Sequence, residues 1–241
     1  MKKTLSLFAC LAIACFVMNA QNVDEIISKY FENMGGLEQL KALKSLKLSC
    51  TMSSPMGNLS MVIYQKAPNF SRTEVEFQGQ KMIQAYDGKT AWAINPMMGS
   101  AEPQVLEGEM AKSIIDQSTF EDPFIDYASK GNTVTFEGEE NVDGVECYKV
   151  KLVKAKDSTD ESTQIYYFDK EYAMPVMITS TANGTEIDTY LSDYREVKNG
   201  LMMAHKIEVK AMGQTAQSIT VDSIEIDPEF SDDLFKFPAS D

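Results

Sequence analysis

Apolar and polar positions along this chain repeat first with the period of a helix and then with that of a strand. Val23, Ile26, Ile27, Tyr30, Phe31 and Met34 recur at spacings of three and one, which predicts an amphipathic helix. Asn22 with Glu25 three residues on forms a capping box, and Gly35-Gly36 supplies a left-handed stop. Leu37, Leu40 and Leu43 continue a short helical stripe. Leu46, Leu48, Cys50 and Met52 then alternate with Lys47, Ser49 and Thr51, so helix passes into strand near residue 45.

Beyond that point short strand-like runs are separated by Asp87-Gly88, Asp143-Gly144, Asn183-Gly184 and Asn199-Gly200. Such pairs accept the positive φ of tight hairpins, so the pattern predicts about ten or more antiparallel strands in meander order. Two stretches interrupt the series. Glu109 to Gln117 carries Met110, Ile114 and Ile115 on one stripe. Asp122 to Lys130 places Pro123 at a helix start and Phe124 and Tyr127 three apart, ahead of Gly131-Asn132. Each predicts a short helix.

Alternation within the strands is incomplete. Leu59, Met61 and Ile63 share a face, yet Val62 and Tyr64 on the other are also apolar, and Tyr166 and Phe168 oppose Ile165 and Tyr167. Strands of this kind are covered on both sides. A sheet of this length curls, and its concave face needs a filling that the helices supply in part. The fold class is mainly β, with one domain spanning residues 21–241 and no linker within it.

Residues 1–20 read as a secretory signal, with Lys2 and Lys3 ahead of an apolar run from Leu5 to Met18 and Ala20 before Gln21. The run is too short to span a bilayer, and the mature chain contains no other candidate span. A second reading ends a loose lipobox, Leu11 to Ala14, at a lipid-anchored Cys15. Either exports the protein from the cytoplasm into the envelope. The net charge of −14 grows more negative once Lys2 and Lys3 are removed, which disfavours nucleic acid and anionic membrane as partners. Cys50 and Cys147 remain after the leader, in a compartment where a disulfide persists. Cys50 continues an alternating apolar series, and Cys147 faces away from Tyr148, Val150 and Leu152.

Catalytic patterns are scarce. His205 is the single histidine and shares a face with Leu201, Met203, Ile207 and Val209, which reads as a hydrogen-bonded core residue. No Gly-x-Ser-x-Gly elbow, phosphate-binding glycine loop or dinucleotide fingerprint occurs, so no catalytic residue, cofactor site or metal site is assigned. The acidic pairs Glu139-Glu140 and Asp232-Asp233 fit solvated turns. Thirteen of the fifteen methionines lie outside the leader. Methionine suits either an irregular core or a surface that accepts acyl chains of varied shape.

The stretch Tyr86-Asp87-Gly88-Lys89-Thr90-Ala91-Trp92-Ala93-Ile94-Asn95-Pro96 resembles a hairpin of the LolA-like family of periplasmic lipoprotein-sorting proteins, in which an Asp-Gly-Lys-Thr turn precedes Trp and Asn-Pro. The N-terminal helix, Lys66-Ala67-Pro68-Asn69-Phe70, the mid-chain helices and the Phe235-Lys236-Phe237-Pro238 ending follow in the same order. The resemblance implies an incomplete, half-open antiparallel β-barrel whose N-terminal and mid-chain helices cover an apolar concave face. It further implies a non-enzymatic carrier of lipid or lipoprotein acyl chains, which receives cargo from an inner-membrane exporter and delivers it to an outer-membrane acceptor. Candidate ligand-binding wall residues are Tyr64, Phe70, Val75, Phe77, Met82 and Trp92. The sequence departs from the carriers at Ala67, where they have the arginine that holds their lid. Two other readings of the fold stand beside the carrier: a protein-interaction or envelope-stress-sensing module, and a hydrolase with facing carboxylates in the concavity.

Overall fold

A computed structural model describes residues 23–54, 57–155, 163–182 and 184–238. The leader, Cys15, the Asn22 cap and Asn183 lie outside the described residues. Helix α1 covers residues 23–33 and ends where Gly35 and Gly36 take positive φ, with the Gly36 N–H closing on the Phe31 carbonyl. The stop lies where the glycine pair predicts it, and a second constraint fixes it there. A Cβ on Gly35 would sit 2.7 Å from the Leu201 Cα, so only glycine lets this turn meet the neighbouring strand. Helix α2, Leu37–Ala42, follows at once.

Thirteen strands then form one antiparallel sheet. They are β1 (Ser45–Ser54), β2 (Gly57–Lys66), β3 (Phe70–Phe77), β4 (Gln80–Asp87), β5 (Ala91–Asn95), β6 (Ser100–Val105), β7 (Thr133–Val142), β8 (Val145–Val153), β9 (Thr163–Asp169), β10 (Pro175–Ala182), β11 (Thr185–Lys198), β12 (Leu201–Ala211) and β13 (Gln214–Ile226). The order is β6-β5-β4-β3-β2-β1-β13-β12-β11-β10-β9-β8-β7, so β6 and β7 are open edges and the barrel is incomplete. The chain meanders outward from β1 to β6, crosses to the far edge at β7 and meanders back until β13 pairs with β1. The turn between β4 and β5 is held by the Asp87 carboxylate, which accepts the N–H groups of Lys89 and Thr90.

This topology explains why the mid-chain segment covers a face of the sheet. Residues 106–132 must travel from one edge to the other, and they carry their apolar residues across on the way. Helix α3, Gly108–Gln117, lays Ile114 and Ala111 against Tyr86 and Ala91. The second predicted helix is corrected: residues 123–131 form successive turns instead. Asp126 takes φ +49 there, a left-handed step that breaks an α-helix as it starts.

The largest core cluster joins Val23, Ile26, Ile27, Tyr30 and Phe31 of α1 to Phe124 and Ile125 and to Val150, Leu152, Tyr166 and Phe168 of β8 and β9. Tyr166, Tyr167 and Phe168 are all buried, as expected of a strand covered on both sides. The sheet curls strongly. Strands β2 and β8 stand seven places apart, a separation of roughly 34 Å in a flat sheet. Yet Ala67 and Pro68, just after β2, and Lys154, just after β8, line one cavity of about 400 Å³.

Candidate functional site

Strand register sorts the candidate wall residues onto two faces. Tyr64 pairs with Arg72, Arg72 with Ala85 and Ala85 with Trp92, so these four share one face. Phe70 lies on it too, since alternate residues of a strand point the same way. Met61, Val75 and Met82 form a row on the other face, which Phe77 continues. Tyr86 and Ala91, which α3 covers, belong to this second face, so it is the helix side of the sheet.

The first face is covered by the chain's own C-terminal segment. Tyr64 meets Phe230, Phe70 meets Phe235 and Trp92 meets Phe237, with ring centroids 5.5, 5.5 and 6.2 Å apart. The Trp92 Nε1 donates to the Phe235 carbonyl at 2.8 Å, and the Arg72 Nη1 to the Leu234 carbonyl at 3.0 Å. Trp92 is fully buried beside Ile83 and Ala85. Glu74 pairs with both Arg72 and Lys81 beside this seam. Burial alone would raise its pKa, but the hydrogen bonds from Lys81 and Arg72 outweigh burial and hold the carboxyl below its usual value. Tyr64, Phe70 and Trp92 therefore contact tail side chains on the side away from the helices, and the register does not bring them together with Val75, Phe77 and Met82.

On the helix side, Cys50, Met61 and Val221 are buried at the centre of an apolar strip, with Leu48, Ile63, Val75, Ile219 and Ile224 half-buried around them. Phe77 and Met82 are half-buried at its margin. The strip runs over β13, β1, β2 and β3. Helix α1 and residues 123–131 pack over β8 and β9 to one side, and α3 packs over β4 and β5 to the other. Between these covers the strip keeps part of its apolar surface accessible. A second cavity, of about 350 Å³, lies under α3 between Gln84, Ala93, Asn95, Gln104, Leu106, Met110, Ser113 and Ile114.

The titratable groups nearby are kept neutral or engaged. Burial pushes the Cys50 thiol up to about 11, and that of Cys147 likewise, so neither is a thiolate nucleophile at neutral pH. Both thiols are free, in separate clusters on opposite faces of the sheet. His205 is buried, with Nδ1 3.0 Å from the Met203 carbonyl. The half-buried carboxyl of Asp122 has its pKa raised by desolvation, against the lowering effect of the Tyr30 hydroxyl and the Phe124 N–H that donate to it. Both arginines are engaged elsewhere than at Ala67, Arg72 with Glu74 and the tail, and Arg195 with Asp193. Among the described residues no group of three or more His, Cys, Asp or Glu is placed to hold a metal ion, and no helix is long and apolar enough to cross a membrane.

Residues 70–238 match the model of a family of uncharacterized proteins. The chain belongs to this family. Its fold is shared with solved structures at low sequence identity. A DUF1329 family protein from Desulfovibrio piger superposes with a TM-score of 0.61 at 15% identity, over 89% of this chain and 97% of that one. An outer membrane lipoprotein-sorting protein domain from Vibrio parahaemolyticus gives 0.59 at 11% identity, over 90% and 97%. A LolA superfamily protein from Nitrosomonas europaea gives 0.59 at 12% identity, over 89% and 97%. No curated protein matches the sequence. This chain thus shares the fold of these proteins, the LolA-like incomplete barrel that the hairpin around Trp92 implied.

Proposed function

We propose that this protein binds lipid or lipoprotein acyl chains along the helix side of its open sheet and carries them through the periplasm. The observation that carries the reading is the apolar strip of Leu48, Ile63, Val75, Ile219 and Ile224, left part-exposed between α1 and α3. Each methylene laid on such a surface gains about 0.8 kcal/mol, so an acyl chain supplies ample affinity without polar contacts. The lipoprotein-sorting description of the Vibrio domain of the same fold supports it, as does the secretory pattern of residues 1–20. In this reading an inner-membrane exporter is the donor and an outer-membrane protein the acceptor. Within the earlier candidate set, Val75, Phe77 and Met82 form the wall, and Tyr64, Phe70 and Trp92 support it from behind.

The test is native mass spectrometry with lipid extraction on protein purified gently from its own envelope. A stoichiometric lipid or acylated peptide is expected, and Val75→Glu should lose it while remaining folded. Protein that arrives empty and also refuses fluorescent acyl probes would end the carrier reading and leave an interaction module.

A further inference from the structure

Gln84, Ala93 and Gln104 stand in one row across β4, β5 and β6 on the helix side, with Asn95 two residues beyond Ala93. Leu106 and, from α3, Met110, Ser113 and Ile114 line with them a solvent-open cavity of about 350 Å³. Its lining combines three side-chain amides and a hydroxyl with four apolar residues, and contains no Lys, Arg, Asp or Glu. Asn95 Oδ1 is buried without a hydrogen-bond partner, the one such side-chain nitrogen or oxygen among the described residues. A buried acceptor in this state has given up water for nothing, so a donor brought beside it is favoured.

We propose that this cavity is a headgroup subsite, in which the Asn95 side chain turns its unpartnered Oδ1 into the cavity and accepts from a neutral donor at the end of an acyl ligand, a hydroxyl or an amide N–H. The inference rests on the acyl-binding reading above and adds the class of headgroup. The two regions are continuous, because Gln84 follows Met82 on the same face of β4, about 7 Å along the strand. A chain lying on the Val75–Met82 side thus brings its end under α3, where Ala93, Leu106, Met110 and Ile114 meet its first methylenes. An anionic headgroup finds no cation in the lining, and the net charge of −14 opposes it.

The test is displacement of a fluorescent acyl probe from the purified protein by four ligands with one chain: monolauroylglycerol, N-lauroylglycinamide, methyl laurate and laurate. One of the two donors should bind about tenfold tighter than methyl laurate, with laurate weakest. Which donor leads separates a glycerolipid source from an acylated peptide. Asn95→Leu should erase the gap between the donors and methyl laurate, and the wild-type series decides by itself if that variant does not fold. Methyl laurate or laurate binding as tightly as both donors overturns the subsite while leaving acyl binding intact. Failure of all four ligands and of the probe overturns both.

Discussion

The indole of Trp92 donates to the Phe235 carbonyl at 2.8 Å, and that bond lies on the side of the sheet opposite α1 and α3. Trp92→Phe keeps most of the ring but strands a buried carbonyl, which should cost about 1–3 kcal/mol of stability in urea denaturation. Binding of an acyl probe by the folded variant should be unchanged. Loss of binding without loss of stability would place the ligand on the tail side instead.

How much of this was legible is clearest from the two residues on either side of one peptide bond, Ile63 and Tyr64. Their alternation shows that they face opposite ways, and the glycine stop, the strand start near residue 45 and the hairpin pairs Asp87-Gly88, Asp143-Gly144 and Asn199-Gly200 are equally local signals. Which of the two faces is wet, covered or open depends on where residues 106–132 and 228–238 cross the sheet. Those crossings follow from the β1–β13 pairing, a contact between distant parts of the chain that no periodicity records. A candidate set chosen by residue type around a hairpin therefore mixed the faces. Register parity would have separated Tyr64, Phe70 and Trp92 from Val75, Phe77 and Met82, and the aromatic spacing of Phe230, Phe235 and Phe237 was the available sign of a segment seeking its own apolar partner. Asp126 shows the converse limit, since Pro123, Phe124 and Tyr127 have helical spacing and one left-handed residue cancels it.

Gly35 joins local conformation to tertiary packing. Its φ of +111 disfavours any L side chain, and a Cβ would strike the Leu201 Cα at 2.7 Å. Gly35→Ala should therefore destabilise by roughly 2–4 kcal/mol, whereas Gly36→Ala, where a Cβ meets nothing within 4 Å, should pay mainly the backbone cost. Thermal unfolding of the pair measures this. Equal losses would show that contact with β12 contributes nothing.

The Tyr30–Asp122 hydrogen bond ties α1 to the turns of residues 123–131 and gives stability a pH dependence. Desolvation raises the Asp122 pKa above its unfolded value of about 3.9, and the hydrogen bonds from Tyr30 and Phe124 do not cancel it. The folded state thus binds the proton more tightly. The stabilisation from this group is complete below about pH 4 and is lost as pH rises through the folded pKa. Wild type should lose ground to Asp122→Asn on going from acid to neutral pH in paired urea titrations. A difference that is flat with pH, or that grows in favour of wild type, refutes it.

Cys50 and Cys147 point from opposite faces of the sheet into separate clusters, Cys50 against Met61 and Val221, and Cys147 against Val142, Tyr167 and Met177. A bridge would have to pass through the sheet, so the native protein should carry both as thiols even in an oxidising compartment. Burial holds each at a pKa of about 11 and shields it from reagents. An aromatic disulfide reagent should accordingly react with neither in the folded state and with both in denaturant. A reductant should leave the unfolding midpoint where it was. A midpoint that falls on reduction would mean the thiols are joined, and would require β1 and β8 to pack differently from the arrangement described.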